Sequence, residues 1–161
     1  MSADLSFRPL EILDLPMLSD WLRSDAVARW YQDPDYIEGL ADQMTDIRIR
    51  QWIVSLGDEP IAYVQDYRIH GWKKHPLSFL PSGSRGLDTF IGKPERLGLG
   101  YGSAYLRKLA ERLENEGVPA LGIDPHPDNA AAIRAYEKIG FVRNEVRQTK
   151  WGRALLMSMR F

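Results

Sequence analysis

The chain of 161 residues has no cysteine, which excludes disulfides, thiolate metal sites and any mechanism built on a thiol nucleophile. It also has almost no net charge, with 21 Lys and Arg against 22 Asp and Glu. There is therefore no global pull toward nucleic acid or an anionic membrane, and any electrostatic specificity must be local. No apolar run approaches membrane-spanning length. The opening Met1-Ser2-Ala3-Asp4-Leu5-Ser6-Phe7-Arg8 lacks the basic region and apolar stretch of a secretion signal, so a cytoplasmic location is expected. Without an internal repeat, a low-complexity tract or a shift in composition, residues 1–161 read as one domain.

What is present is organised around Arg96-Leu97-Gly98-Leu99-Gly100-Tyr101-Gly102-Ser103. Three alternate glycines run into a helix whose Leu106, Leu109, Ala110 and Leu113 recur at helical spacing and which stops at Gly117 and Pro119. Glycines let the main chain approach a ligand closely. The first helical turn adds unpaired N–H groups and the positive end of the helix dipole, which together make a phosphate cradle.

Read in order, residues 5–10 form a strand, and Asp14 with Pro16 starts a helix carrying Met17, Leu18, Trp21 and Leu22 on one stripe. Trp30-Tyr31-Gln32-Asp33-Pro34-Asp35-Tyr36 reads as a loop into a helix at 39–46. Its aromatics and acids suit either a cap over a cationic ligand or a half-buried helix junction. Residues 49–56 and 60–69 make a hairpin about Gly57-Asp58-Glu59; in the second strand Ile61, Tyr63, Gln65, Tyr67 and Ile69 share one face. The stretch 70–84 lacks periodicity and reads as a surface loop beside the site, with Trp72 in position to touch substrate. Residues 85–91 return to strand character with Asp88 inside it, a residue that needs either an ion-pair partner such as Arg85 or Arg68, or a chemical role. After a short strand at 120–123, Asp128 is the expected N-cap of a helix at 129–139 closed by Gly140 and Phe141. On that helix Asn129, Ala132, Ile133 and Tyr136 share a face, where Tyr136 is either a satisfied core tyrosine or a functional phenol. Residues 141–147 and 154–160 complete an antiparallel pair.

The glycine loop follows a hairpin and comes late in the chain, unlike the first βα turn of a dinucleotide-binding fold. It also lacks the lysine of a nucleotide-triphosphate P-loop, which leaves the pyrophosphate arm of coenzyme A. The order of strand, glycine loop, helix and strand, followed by Asn129-Ala-Ala-Ala-Ile-Arg-Ala-Tyr136-Glu-Lys-Ile-Gly-Phe141, resembles the GNAT superfamily of acyl-CoA N-acyltransferases over nearly the whole chain. Aligned on Gly100 and Gly102, the usual Arg/Gln position of the loop holds Leu97, with Arg96 one residue earlier. Within the superfamily the chain is most similar to the aminoglycoside 6′-N-acetyltransferases. The matching pieces are Trp30-Tyr31, the run from Glu59 to Gln65, Gly86-Leu87-Asp88, Asp124-Pro125 and Tyr136-Glu137-Lys138. That family often carries an acid in the last hairpin turn, where this chain has Lys150-Trp151-Gly152-Arg153.

The resemblance implies an α+β GNAT fold, a mixed and mostly antiparallel twisted sheet flanked by helices, using acetyl-CoA as co-substrate and no metal. It implies Asp88 as the acid nearest the reacting amine and Tyr136 as proton donor to the leaving thiolate. Asp124 becomes a second carboxylate for the cation and Trp30 a wall of the pocket, with Tyr63, Gln65 and Trp72 also toward the acceptor. For the cofactor it implies the backbone of Thr89, Phe90 and Ile91, with Arg96, Gly98, Gly100, Gly102 and Ser103 at the pyrophosphate and Asn129, Ala132 and Tyr136 along the pantetheine. A main-chain N–H near Phe90 or Ile91 would stabilise charge on the thioester oxygen. Without cysteine, transfer is expected to be direct, with amine and thioester bound together. An aspartate of ordinary pKa, about 3.9, is a feeble base, so Asp88 either needs burial or acts mainly by positioning the amine, and positioning with water-mediated proton removal is expected first.

The acceptor expected first is the 6′-amine of an aminoglycoside, since acids at Asp33, Asp35, Asp66, Asp88 and Asp124 favour a polycation. A siderophore precursor, a polyamine or a protein amino group is the alternative, and a coenzyme A binding module without turnover a third reading. Neither nucleic acid nor membrane is an expected partner, and the chain is read as a monomer or homodimer. Such an acceptor implies a role in antibiotic resistance.

Overall fold

The computed structural model describes residues 4–31 and 33–161. The opening Met1-Ser2-Ala3 and Gln32 of the aromatic loop lie outside the described residues. Seven strands are hydrogen-bonded in the order β1-β2-β3-β4-β5-β7-β6. They are β1 Leu5–Pro9, β2 Ile49–Leu56, β3 Glu59–Arg68, β4 Arg85–Ile91, β5 Ala120–Ile123, β6 Val142–Thr149 and β7 Gly152–Arg160. Helices are α1 Leu15–Leu22, α2 Asp25–Ala28, α3 Tyr36–Gln43, α4 Tyr101–Asn115 and α5 Ala130–Ile139. The chain divides into two compact units, one of residues up to Gln65 with Thr89–Tyr101, the other of Asp66–Asp88 with Gly102–Phe161.

In the first unit, β1 pairs antiparallel with β2 from Leu5 opposite Leu56 to Pro9 opposite Trp52. The core gathers Leu10, Leu18, Trp21, Val27, Leu40, Ile53, Tyr63 and Phe90. Gly92 has a packing reason: a Cβ there would fall inside the Trp21 indole. Asp14 sits at the N-cap position of α1 as expected, but its carboxylate serves elsewhere. It accepts from the Glu11 N–H at 2.8 Å and from both terminal nitrogens of Arg8 at 2.7 Å. Arg8's hydrogen bonds accordingly hold the Asp14 carboxyl below its usual range despite its burial. The helix expected at 39–46 begins earlier, at Tyr36, because the Asp33 carboxylate accepts the Asp35 N–H at 2.9 Å and closes a turn that feeds the first helical residue.

In the second unit β4 and β5 run parallel in the register Arg85 to Leu121, Gly86 to Gly122 and Leu87 to Ile123. β5 is antiparallel to β7, and β7 to β6. α4 buries Leu106, Leu109, Ala110 and Leu113 as its spacing predicts. α5 ends at Gly140, whose φ of 118° is left-handed. Two expectations need correction here. The cap of α5 is Asn129, whose side chain accepts from the Ala132 N–H, and not Asp128. The stretch 70–84 is more than surface loop, since Leu77 and Leu80 are buried; a Cβ on Gly122 would stand 2.8 Å from Leu77 Cδ1 and 3.1 Å from Leu80 Cδ1.

Asp66, counted among the acids facing a cation, is fully buried on β3 and receives Arg85 Nε on Oδ1 at 2.5 Å. Of the two cations weighed as partners for Asp88, Arg85 is thus engaged with Asp66. Removing one member of such a pair leaves an uncompensated buried charge. Arg85→Met should cost about 3–5 kcal/mol in chemical denaturation, and replacing both partners by apolar residues of similar size should restore much of it.

Candidate active site

The second unit carries the acid cluster. Because the last β4–β5 pair is Leu87 with Ile123, Asp88 and Asp124 are the next residues on two neighbouring parallel strands. Both are half-buried. Withdrawal from water first, and the charge of Asp88 second, push the Asp124 carboxyl well above its usual range, while a hydrogen bond from its own backbone opposes this. The two carboxylates are therefore electrostatically costly together, a cost that a bound cation removes.

Tyr136 lies on the buried stripe of α5 with Ile133, its ring edge-on to Phe141 at 6.2 Å. Its hydroxyl makes no hydrogen bond to another side chain or to backbone among the described residues. Burial foremost, then Tyr105, Asp88 and Asp124, drive its pKa far above that of a free phenol. Such a phenol stays protonated at neutral pH. Asn129 uses its side-chain oxygen to cap α5 at 3.3 Å, which leaves its NH2 group to donate outward. Ala132, one turn on, is half-buried.

A residue the sequence reading passed over joins this cluster. Tyr67 is buried, and its ring occupies the space a Cβ on Gly86 would take. Its hydroxyl contacts His75 Nε2 at 3.2 Å, and burial with the charges of Asp88 and Asp124 raises its pKa well above the usual phenol value. Trp72, half-buried, meets the Tyr67 ring edge-on at 6.0 Å. The only trace in the sequence is Gly86 itself, a glycine inside a strand, whose missing side chain leaves room for the Tyr67 ring.

In this unit α4 supplies Gly102 in its first turn and Ser103, which is buried with its hydroxyl donating to the Ala135 carbonyl at 3.1 Å. That hydroxyl ties α4 to α5, so what Ser103 has for an anion is its backbone N–H.

In the first unit, Gly98 and Gly100 have φ of 73° and 86°, and a Cβ on either would meet nothing within 4 Å. The conformation is one that side-chain-bearing residues rarely adopt, and the loop backbone lies open. This fits a pyrophosphate: glycine backbone in the left-handed region leading directly into a 15-residue helix. Arg96 Nη2 pairs with Glu59 Oε2 at 2.5 Å, both half-exposed. Thr89 donates its hydroxyl to the Tyr63 carbonyl at 2.7 Å, and its own carbonyl accepts from Tyr31 at 2.8 Å. The Phe90 side chain is buried against Tyr63 at 5.5 Å, so only its backbone faces any ligand. Tyr63 is fully buried and donates to Gln65 Oε1 at 2.6 Å, and Gln65 is itself buried. Trp30 is half-buried under the Arg29 guanidinium at 4.7 Å. Asp33 and Asp35 are exposed. Among the described residues there is no group of acids and histidines able to hold a metal ion, and no helix long and apolar enough to cross a membrane.

The order of seven strands and flanking helices is shared with solved acetyltransferases. The chain belongs to the acetyltransferase (GNAT) domain family, whose model matches residues 12–149. It is an acetyl-CoA-dependent N-acetyltransferase with the GNAT fold. It is 32% identical over 157 residues to the aminoglycoside N(6′)-acetyltransferase type 1 of Klebsiella pneumoniae, covering 89% of this chain and 77% of the relative. Among solved structures it is similar to AAC(6′)-Ib in complex with paromomycin and acetyl-CoA, at 30% identity and a TM-score of 0.86 over 97% of this chain and 93% of the other. It is also similar to the same enzyme with coenzyme A and kanamycin, at 31% identity and a TM-score of 0.84 over 98% and 95%.

The upward shift of Asp124 has a kinetic consequence. An ammonium group is held by carboxylates, and a carboxyl with a raised pKa loses its charge at a higher pH than usual. The acceptor KM should therefore rise as pH falls, starting above the ordinary carboxylate range of about 4, and Asp124→Asn should flatten that limb. A KM constant down to the ordinary range would place Asp124 away from the amine.

Proposed function

We propose that this enzyme acetylates the 6′-amine of aminoglycosides, in the cytoplasm, by direct attack of the amine on acetyl-CoA. The observation that carries the reading is the pair Asp88 and Asp124, two adjacent carboxylates whose mutual cost a polycationic acceptor relieves. Acetyl-CoA supplies the acetyl group as an activated thioester. The chain's own residues do the rest. Gly98, Gly100, Gly102 and Ser103 present backbone N–H groups to the pyrophosphate. The Asn129 amide and the face at Ala132 hold the pantetheine, and the backbone of Thr89, Phe90 and Ile91 aligns it, with an N–H there for the charge that develops on the carbonyl oxygen. Arg96 lies beside the loop and, through Glu59, steadies it.

Asp88 orients the ammonium and takes or relays its proton, and Asp124 lends the second negative charge. Tyr136 protonates the departing sulfur, a role its unpartnered and protonated hydroxyl suits. Trp30 and Trp72 each offer aromatic surface for a sugar ring, whereas Tyr63 and Gln65 are buried and bonded to each other, so they act on an acceptor only through their neighbours. Relatives that are aminoglycoside N(6′)-acetyltransferases support this acceptor over a siderophore precursor or a protein amine, and the reading carries with it a role in antibiotic resistance.

A panel of acceptors tests the proposal. Aminoglycosides with a 6′-amine should be acetylated, and counterparts with a 6′-hydroxyl should not. Equal turnover of simple monoamines would displace the polycation reading. Within that panel, Asp88→Asn should lower kcat about 10²-fold or more with acetyl-CoA binding near normal. Tyr136→Phe should lower kcat by a similar order, and a thioester with a more acidic leaving thiol should recover it. Full activity of the phenylalanine variant with acetyl-CoA would remove Tyr136 from the chemistry.

A further inference from the structure

His75 lies in the irregular stretch after β3 and touches neither acid, yet its two ring nitrogens are both engaged. The Leu77 N–H donates to Nδ1 at 3.1 Å. A nitrogen that accepts carries a lone pair, so in the neutral ring the proton sits on Nε2. Nε2 faces the Tyr67 hydroxyl oxygen at 3.2 Å, and its N–H therefore donates to that oxygen. The Tyr67 proton then cannot point back at His75 and has no other acceptor among the described residues. Around the imidazole, burial, Lys150 and His70 all disfavour the charged ring, and Trp151 packs at 6.1 Å. The arrangement is rigid at both ends. Leu77 is fully buried where Gly122 leaves room, and the Tyr67 ring is seated where Gly86 leaves room.

We propose that His75 is a positioning residue for the acceptor: it fixes the Tyr67 hydroxyl as a donor turned away from His75, in the cluster with Asp88 and Asp124, selecting amines that carry a hydroxyl or ether oxygen next to the reacting nitrogen. This rests on the reading of Asp88 and Asp124 as the amine site. The carboxylates recognise the charge, which any polyamine has. Tyr67 recognises a neighbouring oxygen, which an amino sugar has and an aliphatic polyamine lacks. A donor left without its partner beside such a site discriminates against the analogue that cannot satisfy it.

The test uses the intact enzyme with kanamycin as probe, measured both by acetylation kinetics and by calorimetric binding without acetyl-CoA. His75→Phe keeps the ring and removes both nitrogens; it should raise the acceptor Kd and KM about tenfold with the acetyl-CoA KM little changed. His75→Gln, which retains an N–H donor, should recover most of the loss. His75→Phe combined with Tyr67→Phe should be no worse than Tyr67→Phe alone, because His75 acts through Tyr67. Additive losses, or an unchanged acceptor Kd in a folded His75→Phe variant, would overturn the proposal. Nitrogen NMR of the wild-type ring supplies a readout that needs no variant: the neutral Nε2–H tautomer is expected at pH 7, and the Nδ1–H tautomer would refute the assignment. Wild-type enzyme that binds no aminoglycoside would sink the acceptor reading and the selectivity with it, whereas normal kanamycin binding with the wrong tautomer would sink the role of His75 alone.

Discussion

The three-residue register between β4 and β5 is the constraint on which the site depends. Parallel strands need a crossover, here the long α4, and the crossover delivers β5 so that its four residues run out at Ile123 opposite Leu87. Whatever follows those two positions is placed side by side. In this chain both following residues are aspartate. A slip of one residue would turn one carboxylate to the opposite face of the sheet, and the like-charge coupling that raises Asp124 would vanish with the site.

The middle pair of that register is glycine with glycine, and each gap is filled from elsewhere in the same unit. Tyr67 enters over Gly86, and Leu77 and Leu80 press toward Gly122. The irregular stretch after β3 is thereby anchored by apolar side chains under the sheet pair, and the buried Asp66–Arg85 pair fixes the strand that carries Tyr67. Packing against absent side chains does here what hydrogen-bonded ladders do in the sheet. It sets the position of an aromatic donor next to acids that no local sequence pattern connects to it.

The strands were legible because their alternation and turn residues are local: 49–56, 85–91 and 120–123 are where the pattern puts them. So were the glycine loop, α4 and the Asn129 to Tyr136 face. What local pattern could not show was partnership. Asp66 was read as one more acid toward a cation, and only the structure shows it fully buried against Arg85. The cap of α5 moved from Asp128 to Asn129, adjacent residues that are both good caps. The start of α3 at Tyr36 turned on a side-chain turn at Asp33. Tyr67 and His75 were missed because one depends on a glycine across the sheet and the other on a hydrogen bond between residues eight apart.

Asn129 closes a helix with its side-chain oxygen, and the amide nitrogen at the other end of the same group is the one proposed to hold the pantetheine. Few residues can replace it without giving up one side. Aspartate caps as well but offers no donor, and serine caps with a hydroxyl too short to reach far beyond the turn. With the role proposed for its nitrogen, a position whose two duties draw on opposite ends of the same group admits little drift, and folding and cofactor recognition at the start of α5 would vary together or not at all.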